Sequence, residues 1–244
     1  MIRLLWYYIV LLWSSVIHAV GTILAALFRV PFKPGGVYDW GTKDWSKQIL
    51  WGAGTPLDVE GLERIPRGGP VVYASNHSSM FDIWALSAAL PGSTRFVAKE
   101  ELGRIPLVGP AMKRAGHVMI NRAVKAKAME SYAQAGEKIK GGISPIVFPE
   151  GTRSRTGEML PFKTTPFALA IAAQVPVVPV YVHDTFKILP KGEWRMRPMA
   201  IRIRIGDPIP TTGLTLDARG ELKDKVEAVV RAMKARVDAG AVSP

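Results

Sequence analysis

His77 stands five residues ahead of Asp82 in the run Asn76-His77-Ser78-Ser79-Met80-Phe81-Asp82, directly after the apolar stretch Pro70-Val71-Val72-Tyr73-Ala74-Ser75. A carboxylate beside an imidazole fixes its tautomer and stabilises the imidazolium it becomes, which is the base half of a hydrolase triad. No activated nucleophile accompanies the pair. The base is therefore expected to act on a hydroxyl that arrives with a substrate, and the reaction class is transfer of a group onto an alcohol. Five residues of ideal helix rotate by about 140°, so the two side chains cannot meet on one continuous helix. His77 must sit in a turn after a strand and Asp82 in the first turn of the helix that follows. Taken alone, the spacing fits equally well an aspartate near a helix N-terminus with an incidental histidine.

A second constellation is Ser144-Pro145-Ile146-Val147-Phe148-Pro149-Glu150-Gly151-Thr152-Arg153-Ser154-Arg155, an apolar strand running into a loop with glycine, threonine and two arginines. Guanidinium forks and loop amides suit a phosphate monoester, and Lys163 is close in sequence. A charged loop is more often plain solvated surface, but α/β folds build ligand sites at such strand ends. Gly116-His117-Val118-Met119-Ile120-Asn121-Arg122 is a further short strand ending in an arginine, either a phosphate contact or a surface residue. Val175-Pro176-Val177-Val178-Pro179-Val180 reads as core or as the wall of an apolar pocket, and its prolines point to an edge strand or a bulge.

These motifs need a scaffold. Short β-rich runs are expected over Leu57–Gly61, Pro70–Ser75, Thr94–Ala98, His117–Ile120, Ile143–Phe148, Val175–Val182 and Met199–Gly206. Helical patterns cover Phe81–Ala89, Leu107–Ala115, Lys125–Gly141, Pro166–Ala173 and Thr215–Ala239. Strands separated by helix-length segments predict an α/β fold with a mixed, mostly parallel central sheet flanked by helices. Breaks at Pro34-Gly35-Gly36 and Gly52-Ala53-Gly54-Thr55-Pro56 divide the chain into an N-terminal membrane-anchoring helical region, 1–54, and an α/β domain, 55–244.

The N-terminal region explains much of the 48% apolar content. Leu4 to Phe28 carries no formal charge besides a possible protonated His18. As a helix it would extend about 37 Å, enough to cross a hydrocarbon core of about 30 Å. A cleaved signal peptide usually has an apolar core of only about 7–15 residues. Trp6, Tyr7 and Tyr8 at one end suit a membrane interface, and Arg29, Lys33, Lys43 and Lys47 after the segment put the rest of the chain on the cytoplasmic side. Trp40 to Trp51 reads either as an interfacial amphipathic helix or as a helix packed on the domain's own core. The net charge of +12 predicts attraction to polyanions. Scattered charges among long apolar runs favour lipid over nucleic acid. With no cysteines, disulfides, thiolate metal sites and cysteine catalysis are excluded, and His18, His77, His117 and His183 lack the spacing of a metal set.

The four runs, NHSSMFD, GHVMINR, FPEGTRSR and VPVVPV, occur in the order and approximate spacing of the lysophosphatidic acid acyltransferases, and the chain resembles that family from about Leu57 to Ile209. The resemblance implies acyl transfer from a thioester, acyl-CoA or acyl-carrier protein, to the free hydroxyl of a lysophospholipid, with no other cofactor and no metal. It makes His77 the general base and Asp82 its orienting carboxylate. It assigns Arg122, Glu150, Gly151, Thr152 and Arg153 to acceptor and phosphate recognition, and Lys99 matches a lysine near the acceptor or oxyanion. Met119 and Asn121 depart from the family's aromatic-Ile-Asp-Arg form of the second block. Other acceptors remain open (glycerol 3-phosphate, another lysophospholipid, a lyso-aminolipid), as does a non-catalytic membrane lipid-binding protein. A hydrolase ranks low, because no Gly-x-Ser-x-Gly elbow is present.

Overall fold

The computed structural model describes residues 2–120 and 135–240. Two helices come first, α1 (Ile2–Leu27) and α2 (Val37–Ala53). There follow β1 (Leu57–Glu60), β2 (Val72–Ser75), α3 (Phe81–Ala89), β3 (Ser93–Lys99), α4 (Val108–Arg114) and β4 (Val118–Ile120). A helix α5 is described over 135–140. The chain continues through β5 (Ile143–Val147), α6 (Ala168–Ala173), β6 (Val177–His183), the short α7 (Thr185–Ile188), β7 (Ile201–Ile205) and α8 (Arg219–Asp238). All seven expected strands form, each within about two residues of its expected bounds. Most of the expected Lys125–Gly141 helix, and Arg122 with it, lies outside the described residues.

The sheet order is β1-β7-β6-β2-β5-β3-β4. Every pair is parallel except β6 with β7, the mixed, mostly parallel sheet that alternating strands and helices imply. Side chains along a strand alternate between faces, and the two cores follow that alternation. Tyr73, Ile146, Val178 and Val180 pack under α1, α2 and α3. Val72, Ala74, Val147 and Val177 pack under α5, α6 and α8. The crossover β2–α3–β3 therefore runs on one face and β5–α6–β6 on the other. Neighbouring β2 and β5 send their following loops to opposite sides, leaving at their C-terminal ends the crevice where open α/β sheets bind ligands.

β6 is interior, between β7 and β2, which corrects the edge-strand expectation drawn from its prolines. The Pro179 carbonyl still accepts the Gly206 amide at 2.9 Å. Between the pairs Val177↔Ile209 and Val180↔Ile205, β6 has two residues (178, 179) and the partner chain three (206, 207, 208). The missing donor of Pro179 faces that irregularity, so the bulge alternative describes it, with the extra residue on the partner.

α1 is long and apolar enough to cross a membrane, yet one side of it packs on the rest of the chain. It pairs antiparallel with α2 through Trp6 against Trp51, Trp45 Nε1 donating to Ser15 Oγ at 3.0 Å and His18 Nε2 with Asp44 at 3.1 Å. Tyr7 is buried and stacks on Phe81 rather than facing an interface. α2 combines both readings of its sequence. Tyr38, Ile49, Leu50 and Ala53 are buried, while Trp40 and Trp51 are about two-thirds exposed, at 65% and 69%.

Charge buried beneath α2 joins it to the sheet. Arg95 of β3 is fully buried and bonds the carboxylate of Asp39 on α2, the Ala115 carbonyl and the Thr94 carbonyl. Asp39 also accepts from Ser93 Oγ at 2.9 Å and from the Gly35 amide. Beside this pair, His117 Nδ1 accepts the Phe96 amide at 3.0 Å. Burial, helped by the charge of Arg95, pushes His117 down to about 3, so it stays neutral.

Candidate active site

The loop after β2 is built to present one imidazole. The amide of Asn76 pairs with the backbone of β6, its Nδ2 donating to the Val182 carbonyl at 2.9 Å and its Oδ1 accepting the Val182 amide at 2.8 Å. Ser79 Oγ donates to the Leu189 carbonyl at 2.8 Å, and the His77 carbonyl accepts the Ser154 amide at 2.9 Å. The chain then enters α3 with Asp82 in its first turn.

His77 Nδ1 lies 2.8 Å from Asp82 Oδ2. The same oxygen accepts the Ser78 amide at 2.7 Å and the Ser79 amide at 2.9 Å. Asp82 Oδ1 accepts the hydroxyl of Thr185. The carboxylate is fully buried and sits at a helix N-terminus, where negative charge is favoured. With Nδ1 donating to Asp82, the His77 tautomer leaves Nε2 as an acceptor. Nε2 has no hydrogen-bond partner among the described residues. The ring stacks on Phe148 at 3.9 Å between centroids and 13° between planes, and Phe148, Phe96 and His117 continue the stack across β5, β3 and the start of β4. The imidazole is fixed in tautomer and in plane.

The β5 loop meets this pair directly. Glu150 Oε1 accepts the His77 amide at 2.6 Å and Oε2 the Leu160 amide at 2.9 Å. Glu150 is buried, and desolvation pushes its carboxyl up to about 7 against the lowering effect of those two amides. Its position is that of a clamp between two loops. Gly151 takes φ +76°, and a Cβ there would lie 2.9 Å from Lys163 Nζ. This close approach in the left-handed region needs glycine.

Beyond Gly151 the surface turns cationic. Thr152 Oγ1 accepts from Lys191 Nζ at 2.8 Å, and the Arg153 carbonyl is 3.5 Å from the same ammonium. Besides desolvation, the charges of Arg155, Arg153 and Lys99 lower the Lys191 pKa, so the four cations of β3 and of two loops share one region. None of the four pairs with a carboxylate among the described residues. Of the residues singled out from sequence, His77, Asp82 and Glu150 thus form one bonded unit. Gly151, Thr152 and Arg153 follow Glu150 in its loop, Lys99 lies near Lys191, and Arg122 lies outside the described residues. Among the described residues no group of three or more His, Asp or Glu is placed to hold a metal.

Two residues were not anticipated. Lys191 follows α7 in a Pro-Lys-Gly turn that looks like any surface loop. Thr185 is fully buried and bonds Asp82 from 103 positions away. Its hydroxyl also lies 2.9 Å from Ser78 Oγ, so with Thr185 donating to Asp82, Ser78 donates to Thr185. Thr185→Val should strip Asp82 Oδ1 of its partner and lower kcat by about tenfold, a modest part of the cost of a charged hydrogen bond. KM for either substrate should hardly move, and Thr185→Ser should restore the rate. Steady-state kinetics of the three proteins checks this.

The Acyltransferase family profile matches residues 56–183, more than half of the chain. The 1-acyl-sn-glycerol-3-phosphate acyltransferase of Limnanthes douglasii is 36% identical over 170 residues, 69% of this chain and 60% of that protein. The human 1-acyl-sn-glycerol-3-phosphate acyltransferase alpha is 35% identical over 174 residues, 71% of this chain and 62% of that protein. This chain thus spans about three-fifths of the length of these relatives. The crystal structure of the 1-acyl-sn-glycerophosphate (LPA) acyltransferase PlsC from Thermotoga maritima superposes with a TM-score of 0.75 at 28% identity, covering 98% of this chain and 95% of that one. With the His77–Asp82 pair lying inside the matched segment, the chain belongs to the acyltransferase family.

Proposed function

We propose that the protein transfers a fatty acyl group from a thioester, acyl-CoA or acyl-carrier protein, to the free hydroxyl of 1-acylglycerol 3-phosphate, giving phosphatidic acid for phospholipid synthesis. The observation that carries the reading is an Asp82-held His77 whose Nε2 has no hydrogen-bond partner among the described residues, with four cations nearby that have no carboxylate partner among the described residues. His77 Nε2 takes the proton of the acceptor hydroxyl as that oxygen attacks the thioester carbonyl. The tetrahedral intermediate then collapses, the C–S bond breaks, and the imidazolium returns its proton to the leaving thiolate. Direct transfer fits the neighbourhood. Ser78 Oγ is bonded to Thr185 and Ser79 Oγ to the Leu189 carbonyl, so neither hydroxyl is bonded to His77 as an activated serine nucleophile would be. The Ser78 and Ser79 amides are taken by Asp82 and are not oxyanion donors.

Lys99, Arg153, Arg155 and Lys191 are the handle for the acceptor's phosphate. Arg153→Ala is expected to lower kcat/KM for a phosphomonoester acceptor by about 10–100-fold, the worth of one or two charge-assisted bonds. An uncharged monoacylglycerol should be indifferent to the same change. A panel of acceptors and graded acyl donors, read by product mass, tests both statements. Equal losses for the two acceptor types would remove the phosphate assignment.

Both α1 ends lie against the body, through Tyr7 on Phe81 near one end and the Phe32–Arg95 contact just past the other. A helix held in this way does not project from the domain. We therefore take α1 to lie along the cytoplasmic face of a membrane. Its open side, with Leu5, Ile9, Leu12 and Trp13 exposed, would enter the apolar layer, where acceptor and product reside.

A further inference from the structure

The segment between α7 and β7, Pro190 to Ala200, is absorbed by neither the catalytic pair nor the sheet. Trp194 within it is 57% exposed, although a surface tryptophan usually finds apolar cover. Its carbonyl accepts the hydroxyl of Tyr8 on α1. On a helix the surface neighbours of Tyr8 are three and four residues away, and two of them, Leu5 and Leu12, are strongly exposed. Trp194 is thus held at the margin of the open apolar side of α1 and extends it. Arg195 lies over the Trp194 ring, 4.9 Å from its centroid. Arg195 and Arg197 are exposed and lack carboxylate partners among the described residues, and the loop's one acidic residue, Glu193, leaves it net positive. Met196 is buried in the core on the α1 side and anchors the loop from below. At its start, Lys191 reaches Thr152 beside the cation cluster.

An exposed tryptophan with guanidinium groups beside it is the chemistry of the headgroup layer, where amphipathic rings sit and anionic lipids attract cations. We propose that the 190–200 loop is a second lipid-surface contact, placing Trp194 among the headgroups and Arg195 and Arg197 on anionic lipid. It would hold the bilayer surface beside the active-site cations, where a lysophospholipid must leave the membrane to react. The proposal rests on the reading of a bilayer-surface acyltransferase and goes beyond it by naming a contact outside the N-terminal helices.

The absence of native cysteine makes the test clean. Trp194→Cys and, on the opposite face of the sheet, Asp224→Cys would each be labelled with an environment-sensitive fluorophore in the full chain. They would then be mixed with phosphatidylcholine vesicles containing phosphatidylglycerol. A blue shift and protection from acrylamide at 194, with neither at 224, is the expected result. Equal quenching at the two positions overturns the proposal, and this readout needs no turnover, so it decides the loop contact even if the parent protein proved inactive on every acceptor. Replacing Arg195 and Arg197 by Ala should weaken binding to these anionic vesicles by about fivefold per arginine. Unchanged binding would remove the arginines from the contact. Trp194→Ala should slow acylation of acceptor presented in vesicles and spare a water-dispersed short-chain acceptor. Equal rates on vesicles would also count against the loop.

Discussion

Replacing His77 by Ala is expected to lower acyl transfer by about 10²–10⁴-fold, the usual span for a lost general base, with the fold intact. The ring is partly accessible, its Nε2 has no hydrogen-bond partner among the described residues, and it stacks on Phe148. Such a stack contributes only about 0.5–1.5 kcal/mol. Thermal unfolding should therefore shift little while turnover collapses. Asp82→Asn is the sharper companion. It keeps the shape but places an amide where a charged acceptor takes the His77 Nδ1 proton and three further donors. An asparagine nitrogen turned toward those donors would favour the wrong imidazole tautomer, for which the loss in a triad is about 10⁴-fold. The measurement is release of free thiol together with the mass of the acylated product, for parent and both variants at matched protein concentration. A His77→Ala protein keeping more than a tenth of the parent rate would sink the base assignment and with it the direct-transfer mechanism.

The strands and the dyad were legible because they are local. Apolar runs bounded by glycine and proline identify β2 and β5, and the five-residue spacing of His77 and Asp82 requires the strand-turn-helix that forms. Glu150 and Arg153 could be chosen from the residues after β5, but their different roles could not. Glu150 turns inward to two backbone amides, whereas Arg153 is half-buried beside Lys191, a distinction set by the packing of the β2 and β5 loops. Thr185 and Lys191 were out of reach for a deeper reason. They meet Asp82 and Thr152 because β6 pairs with β2, and strand order is a long-range property that hydrophobic periodicity does not encode. Pro179 misled for the same reason, since its tolerance depends on where the partner strand bulges. Tyr7 was placed at an interface by its type and its position near a helix end, whereas Phe81, on the opening turn of α3, covers it.

The buried ion pair under α2 carries the largest expected effect on stability. Asp39→Ala would leave the Arg95 guanidinium fully buried and, among the described residues, bonded to the Ala115 and Thr94 carbonyls and lying over the Phe32 ring with no carboxylate. Breaking a buried pair on one side costs about 3–5 kcal/mol, because the surviving charge is neither hydrated nor neutralised. For a chain of this size that corresponds to a fall in Tm of roughly 6–20 °C. The Gly35 amide and Ser93 hydroxyl lose their acceptor as well, which argues for the upper part of the range. Removing both charges, as Asp39→Ala with Arg95→Met, should recover much of the loss, since an apolar pair leaves no stranded ion. Thermal unfolding of the single and double variants in the same detergent gives the comparison. A single variant melting within about 2 °C of the parent, less than 1 kcal/mol on that scale, would mean that water reaches Arg95. The pair matters to function because it fastens α2, with Trp40 and Trp51 on its outer side, to β3, whose last residue is Lys99. Loosening it should disturb both the helices proposed to meet the membrane and the cations proposed to hold the phosphate, so the activity of Asp39→Ala on vesicle-borne acceptor is expected to fall at temperatures well below its own unfolding.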